Sequence, residues 1–399
     1  MVYFDRWKGY LSIMVWIWQQ VGWPDFSWQP KRLAKAEERF LVAGGAFAGM
    51  ARHLGEPDND QLVIDSLSAE AITTSEIEGE ILDRASVQSS IRRHLGFITD
   101  NRRVGAAEQA ISEMMVDLHR SFAAPLSNEM LFEWHRMLTG SRRDLKNIGR
   151  YRTHREPMQI VSGPIDAPVV HFEAPPSADM PREMSWFIDW FNRTAPDGAE
   201  PLPALTRAGI AHFYFVCIHP FEDGNGRIGR ALAEKILAQS LGRPTLIALA
   251  ATILNRRRAY YETLARTNTS LELTEWLAWF AAVVIEAQRR TMALAEFLID
   301  KTRLLDRMRG QLNERQRKVL VRVLREGPEG FKGGLSARNY VVITGASAAT
   351  ATRDLAGMVE RGALVREGER RHARYHANIA RRHVVAVAID EQGRLVDAG

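Results

Sequence analysis

Residues 218–230 read Ile-His-Pro-Phe-Glu-Asp-Gly-Asn-Gly-Arg-Ile-Gly-Arg, and the side chains of His219, Glu222, Asp223, Asn225, Arg227 and Arg230 are capable of chemistry. Gly224 and Gly226 permit backbone torsions closed to other residues, so successive N–H groups can converge on one point. Those donors, added to the positive end of a helix that starts there, make an anion site. Arg227 and Arg230 are three apart, hence on one helix face, and guanidinium forks suit phosphate oxygens. Asp223 supplies the hard oxygen that Mg²⁺ between phosphates requires. His219, with an ordinary pKa near 6.5, suits a general base at neutral pH. Singly, each residue has a plainer reading: His219 as a helix cap, Asp-Gly-Asn-Gly as a turn, the arginines as a solvated face. The spacing Gly224-x-Gly226-x-x-Gly229 also invites a dinucleotide-binding assignment. That fingerprint must follow a strand, however, and residues 205–218 form a bulky apolar run of helical length.

Taken together, the segment resembles the signature of the Fic family, His-x-Phe-x-Asp/Glu-Gly-Asn-Gly-Arg-x-x-Arg, at every specified position. The resemblance continues through Ala211-His212-Phe213, Gly149-x-Tyr151-Arg152, and Val169-Val170-His171-Phe172 with Pro175-Pro176. It also includes Asn255 to Leu264 with its Tyr260-Tyr261 pair, Leu273-Thr274-x-Trp276, and the tryptophan-rich opening from Trp18 to Trp28, so that it covers residues 15 to 295. It implies transfer of AMP from ATP to a Ser, Thr or Tyr hydroxyl of a protein, this chain included. His219 would be the base, Asp223 the Mg²⁺ ligand, and Gly224, Asn225 and Gly226 the seat of the α-phosphate. Arg227 would meet the β-phosphate, Arg230 the γ-phosphate, and Tyr260 and Asn255 the rest of the nucleotide. Phe221 would anchor the loop from inside, and His212 would be a core residue. Val169, Val170, His171 and Phe172 would form a flap that adds a strand to an extended acceptor segment.

A second stretch, Thr74-Ser75-Glu76-Ile77-Glu78-Gly79, closes a helix with Gly79 as its stop signal. Glu76, Glu78 and Glu80 crowd the negative end of the helix dipole, where carboxylates are disfavoured by about 0.3 to 1 kcal/mol each. The plain reading is a solvated acidic turn. The run also matches the Fic family's inhibitory pattern, Ser/Thr-x-x-x-Glu-Gly/Asn, at Thr74, Glu78 and Gly79. By that resemblance Glu78 pairs with Arg230, displaces the γ-phosphate and suppresses transfer. Some related enzymes use the same glutamate to remove AMP, and a Fic enzyme that mainly removes AMP stays open as an alternative; Fic folds also host phosphocholine transfer and, with an altered motif, protein phosphorylation, while the intact Gly224-Asn225-Gly226-Arg227 favours AMP transfer.

The elements that must position these residues are helical. Apolar spacing predicts helices over 31–53, 60–79, 86–95, 104–121, 128–138 after the Ser127 N-cap, 181–193, 205–218, 226–240, 255–266 and 273–300. Residues 167–176 read as a strand or hairpin arm. Trp16, Trp18, Trp23 and Trp28 read as the packing of a small cap rather than a ligand cage. After Asp300 come helices at 313–325, 335–343 and 347–361 and an alternating hairpin at 363–376, which suggest a winged helix-turn-helix. The expected fold is therefore mainly α: a Fic-type helical bundle with a short β-hairpin flap, plus a C-terminal winged helix-turn-helix. The expected domains are a cap at 1–100 carrying the inhibitory helix at 65–79, a catalytic domain at 101–300, a winged helix at 301–380 and a tail at 381–399.

The 399 residues allow two or three domains, and 46% hydrophobic with 25% charged residues is a globular composition. The apolar run Tyr10–Trp18 is far short of the ~20 residues of a membrane span. The one cysteine, Cys217, cannot form an internal disulfide and reads as packing, so a cytoplasmic home and no membrane partner are expected. The net charge is +5, yet residues 313–378 hold thirteen Lys plus Arg against seven Asp plus Glu, an excess of six. A second functional reading follows: a DNA-binding regulator contacting DNA through residues 313–378, with the catalytic body as sensor or scaffold. Ser347, Thr350, Thr352 and Arg353 would start a recognition helix, with Arg366, Arg370, Arg371 and Arg374 on the wing. The same module could serve dimerisation or target docking instead, and a homodimer is expected.

Overall fold

The computed structural model describes residues 15–52, 55–98, 102–162, 169–327, 330–331 and 333–398. The sequence stretches 10–18 and 167–176 therefore lie partly outside the described residues, as do Gly399 and the side chain of Arg371. The described residues fall into two compact units, one within Met1–Ala46, Val63–Gln288 and Ala386–Gly399, the other within Phe47–Leu62 and Arg289–Val385. The fold is mainly α.

The first unit draws on α1 (Pro30–Ala51), α2 (Glu56–Ile77), α3 (Arg84–Leu95), α4 (Ala106–Ser121), α5 (Asn128–Thr139), α6 (Met180–Arg193), α7 (Ala204–Ile218), α8 (Asn225–Leu241), α9 (Leu249–Asn255), α10 (Arg257–Thr267) and the start of α11 (Thr274–Arg307). Helix α7 is its axis: every residue but Val216 is buried, and a helix apolar all round belongs at the centre of a bundle. Its partner α8 follows after the loop 219–224. Close approach of α11 depends on Gly209, where a Cβ would lie 2.6 Å from Leu277. The Trp276 indole donates to the Gly209 carbonyl at 2.8 Å. Around the axis, α6 is amphipathic, burying Met180, Met184, Phe187 and Phe191. The buried Arg207 links α6 to α8 by donating to the Phe191 carbonyl and to Gln239. Helix α5 begins at Ser127, whose hydroxyl accepts from Met130 N–H, as the sequence predicts.

Two hairpins complete this unit. Strands β1 (Gln159–Ser162) and β2 (Val169–Glu173) pair antiparallel with an irregularity at Ile160/Val161. The sequence predicts β2 and not β1, which forms by pairing with it. The four aromatics of the opening pack as the plain reading had it. Trp16 meets Phe172 edge-on at 5.4 Å, the Trp18 indole donates to the Glu173 carbonyl, and Trp23 meets Tyr214 edge-on at 5.1 Å. The second hairpin joins β5 (Val387–Ile389) to β6 (Leu395–Asp397), in a tail to which the sequence reading gave no structure. It belongs to the core because Val387 and Ile389 are buried and the Val387 carbonyl accepts from Arg256.

In the second unit, α12 (Glu314–Leu324), α13 (Ala337–Thr344) and α14 (Ala348–Glu360) precede β3 (Leu364–Glu367), which pairs antiparallel with β4 (Arg374–Ala377). Asp354 ties the three helices together, accepting from Tyr340 on α13 at 2.8 Å and from Arg315 on α12 at 3.0 Å. Among the described residues no helix is long and apolar enough to cross a membrane.

Candidate functional site

The loop between α7 and α8 is built from the inside outward. Phe221 is fully buried and stacked on His135 at 4.2 Å, with Phe132 and Tyr151 at its edges. Truncating such an anchor costs about 3–5 kcal/mol. Asn225 clamps the turn: its Oδ1 accepts from Phe221 N–H at 3.0 Å and its Nδ2 donates to the Phe221 carbonyl at 2.8 Å. The expected contact of Asn225 with a phosphate is thereby revised. Its side chain is spent on shaping the loop, and what it can offer a ligand is its backbone N–H. Gly224 precedes α8 with φ +82°, the left-handed region that favours glycine. The first bond of α8 runs from Ile228 N–H to the Gly224 carbonyl, so the N–H groups of Asn225, Gly226 and Arg227 precede the helical ladder. Such unpaired donors attract anions.

His219 ends α7 with φ +51°, a strained value for a residue other than glycine. Its Nδ1 lies 3.3 Å from the Val216 carbonyl, which fixes the proton on Nδ1 and leaves Nε2 as the free base. Burial lowers its pKa to about 4, well under the ordinary value assumed from sequence, although the charges of Glu78 and Asp223 pull the other way. The imidazole is thus neutral throughout the physiological range. Arg152, almost fully buried, donates to the carbonyls of His219, Ile218 and Pro175 and to the Ser177 hydroxyl. It holds the end of α7 in its strained turn, and desolvation lowers its own pKa to about 10.

Three charged groups of the segment 219–230 already have partners. Arg230 is buried and donates to the Thr74 hydroxyl at 2.7 Å, to the Thr74 carbonyl at 3.0 Å and to Glu78 at 2.7 Å. Glu78 continues the stripe Ile64, Leu67, Ala71 and Thr74 by which α2 is buried, at alternating spacings of three and four residues. Its carboxylate lies where a side chain on Gly226 would stand: a Cβ there would be 2.2 Å from Glu78 Oε1. Arg227 is paired with Glu80 at 2.8 Å, and Asp223 with Arg142 at 2.7 Å. One helical turn beyond Arg230, Glu234 is buried with Glu70, and desolvation raises the pKa of both carboxyls although the charge of Arg230 pulls the other way. Among the described residues no group of three or more His, Cys, Asp or Glu side chains could hold a metal. Asp223 offers one carboxylate, the donor set of an ion held mainly by phosphates and water.

Residues 125–237 match the family model described as "Fic/DOC family". The chain carries a Fic/DOC-family domain. Its tryptophan-rich opening lies within a further match, residues 16–97, to a family described as "Domain of unknown function (DUF4172)". The Fic-bearing chain is 29% identical over 199 residues to protein adenylyltransferase fic-1 of Caenorhabditis briggsae, covering 49% of this chain and 35% of that one. It is 32% identical over 139 residues to protein adenylyltransferase Fic of Nematostella vectensis, covering 35% of this chain and 28% of that one. The chain therefore spans about a third of the length of the curated relatives it matches. A crystal structure of a Fic family protein from Desulfovibrio desulfuricans G20 aligns with a TM-score of 0.49 and 20% identity, covering 86% of this chain and 95% of that chain.

The structure gathers His219, Asp223, Gly224, Asn225, Gly226, Arg227, Arg230, Thr74 and Glu78 in one place and disperses other expected residues of the Fic site. Tyr260 is buried, its hydroxyl 2.9 Å from His212 Nε2, so it braces the core below Arg230 rather than offering a face to a nucleotide. Asn255 stands exposed at the end of α9. In the flap, Phe172 is buried against Trp16, and the carbonyls of His171 and Glu173 accept from Asn268 and Trp18. Val169 and Val170 remain exposed. The residues that sequence reasoning missed are His135, Arg142, Arg152 as the support of His219, and Glu80 as the partner of Arg227. Glu80 left a signal in its place in the crowded acidic turn, and Arg152 one in Gly149-x-Tyr151-Arg152.

Proposed function

We propose that this chain is a protein adenylyltransferase held in check by Glu78. His219 Nε2 takes the proton of a Ser, Thr or Tyr hydroxyl on a protein, and the oxygen attacks the α-phosphorus of ATP. The new O–P bond forms as the bond to the bridging oxygen breaks, and the electron pair leaves with pyrophosphate. The N–H groups of Asn225, Gly226 and Arg227 receive the charge that develops on the α-phosphoryl oxygens. Arg227 pairs with the β-phosphate and Arg230 with the γ-phosphate. Asp223 is the residue that would hold Mg²⁺, whose chemistry when bound is to neutralise the phosphates of the nucleotide. Exposed Val169 and Val170 offer a short edge to an extended acceptor. The observation that carries the proposal is a neutral histidine with a free Nε2 on the same loop as an unpaired helix N-terminus and two buried arginines. The test is mass spectrometry for an AMP adduct, on this chain and on added proteins, after incubation of wild type and Glu78→Gly with ATP and Mg²⁺. No adduct with either protein would remove the assignment.

The second unit supports a further reading, binding of duplex DNA through a winged helix. Ser347, Thr352 and Arg353 are exposed at the start of α14, and Arg366 and Arg370 are exposed about the β3–β4 hairpin. Retention of duplex by the intact protein should fall with salt at a log-log slope of about −0.9 per phosphate contacted. Retention that does not respond to salt would leave this unit a docking module.

A further inference from the structure

Arg227 is 5% exposed, and its Nη1 meets Glu80 Oε2 at 2.8 Å, while the second carboxylate in reach, Asp223, stands at 3.7 Å. Its Nε is buried and has no hydrogen-bond partner. A guanidinium satisfied along one edge and bare on another is prepared for an anion, and at present a carboxylate of its own chain covers it. The position of that carboxylate is set by the backbone. Gly79 adopts φ +88°, Gly79 N–H bonds to the Glu76 carbonyl, and Glu80 N–H bonds to the Ser75 carbonyl. These two bonds are the paired closure of a helix by a left-handed glycine. The turn sends Glu78 to Arg230 and, two residues on, Glu80 to Arg227.

We propose that Glu80 is a second brake, guarding the β-phosphate seat as Glu78 guards the γ-phosphate seat, so that the two carboxylates together read the length of the phosphate chain. The inference rests on the nucleotide reading above, in which Arg227 receives the β-phosphate and Arg230 the γ-phosphate. ADP must displace Glu80 and not Glu78, ATP must displace both, and AMP neither. Removal of Glu78 alone leaves the β-phosphate seat covered, so release by Glu78→Gly is incomplete until Glu80 is also changed.

The experiment is calorimetric titration of wild type, Glu80→Gln, Glu78→Gln and the double variant with AMP, ADP and ATP. The pair is one-third exposed on the Glu80 side, so Glu80→Gln should fold as wild type does, and Glu80→Ala serves as a second variant. Glu80→Gln should tighten ADP and ATP by about tenfold, the change expected of one charge pair, and leave AMP unchanged. Glu78→Gln should tighten ATP and leave ADP unchanged, and the double variant should gain both effects for ATP. ADP affinity unaltered by both Glu80 variants, or AMP tightened as much as ADP, would overturn the inference while leaving the nucleotide site in place. Failure of all three nucleotides to bind any variant would instead remove the nucleotide reading, and the inference with it.

Discussion

Replacing Glu78 by Gly should activate AMP transfer and weaken the nucleotide-free protein at the same time, because both effects come from one arginine. Arg230 is 2% exposed and Glu78 33% exposed, at 2.7 Å. Removing one partner of a fully buried pair costs about 3–5 kcal/mol, and the water that reaches a third of Glu78 reduces this to about 2–3 kcal/mol. Thr74, the other hydrogen-bond partner of Arg230, supplies two neutral acceptors only. The γ-phosphate of ATP is the natural replacement. Converted to rate, 2–3 kcal/mol is about 30- to 150-fold. The assay pairs initial rates of AMP incorporation with thermal unfolding, each with and without ATP. The variant should melt earlier than wild type alone and gain more from ATP than wild type does. Adding Arg230→Ala should cancel the gain in rate. Equal rates for wild type and Glu78→Gly at saturating ATP and Mg²⁺ would refute the reasoning, as would activation that survives the loss of Arg230.

Three further outcomes are expected. His219→Ala should lower transfer by about 10²- to 10⁴-fold while calorimetry finds ATP affinity nearly unchanged, since in the proposed reaction the imidazole acts on the acceptor proton; a parallel loss of affinity would move His219 to the nucleotide. Arg152→Lys, which cannot reproduce a fork spread over the His219, Ile218 and Pro175 carbonyls, should depress kcat at least tenfold with KM for ATP little changed; an unchanged kcat would make Arg152 a support of the fold alone. His135 and His212 are buried with pKa values lowered to about 4 by desolvation, against about 6.5 when unfolded. The unfolded chain therefore binds the extra protons, and stability present above pH 6.5 is lost as pH falls towards 4, by on the order of 3 kcal/mol for each histidine at completion. A melting temperature that stays level from pH 6.5 to 4 would contradict this.

The long helices were legible because their apolar residues recur at helical spacing and their ends carry caps such as Ser127 and Gly79. The segment 219–230 was legible because glycine, histidine and arginine at fixed spacing have few joint uses. The parts that escaped are those decided by distant partners. Gln159–Ser162 becomes a strand by pairing with β2, and Val387–Ile389 by pairing with β6 and burial within the first unit. The depressed pKa of His219 and the orientation of its ring depend on burial and on a carbonyl at the end of α7, neither of which a residue type reveals. Tyr260 sits within a recognisable stretch, yet its hydroxyl faces His212. Glu80 was visible as a charge out of place at a helix end, and only the turn at Gly79 gives that charge its arginine.

Attack of a hydroxyl on the α-phosphorus of ATP, with His219 as base, can be followed with labelled ATP. Glu78→Gly should incorporate label into protein from ATP labelled at the α-phosphate and none from ATP labelled at the γ-phosphate, with incorporation lost on adding His219→Ala. Label appearing from the γ-phosphate would mean phosphoryl rather than AMP transfer, and α-label that persists without His219 would rule it out as the base.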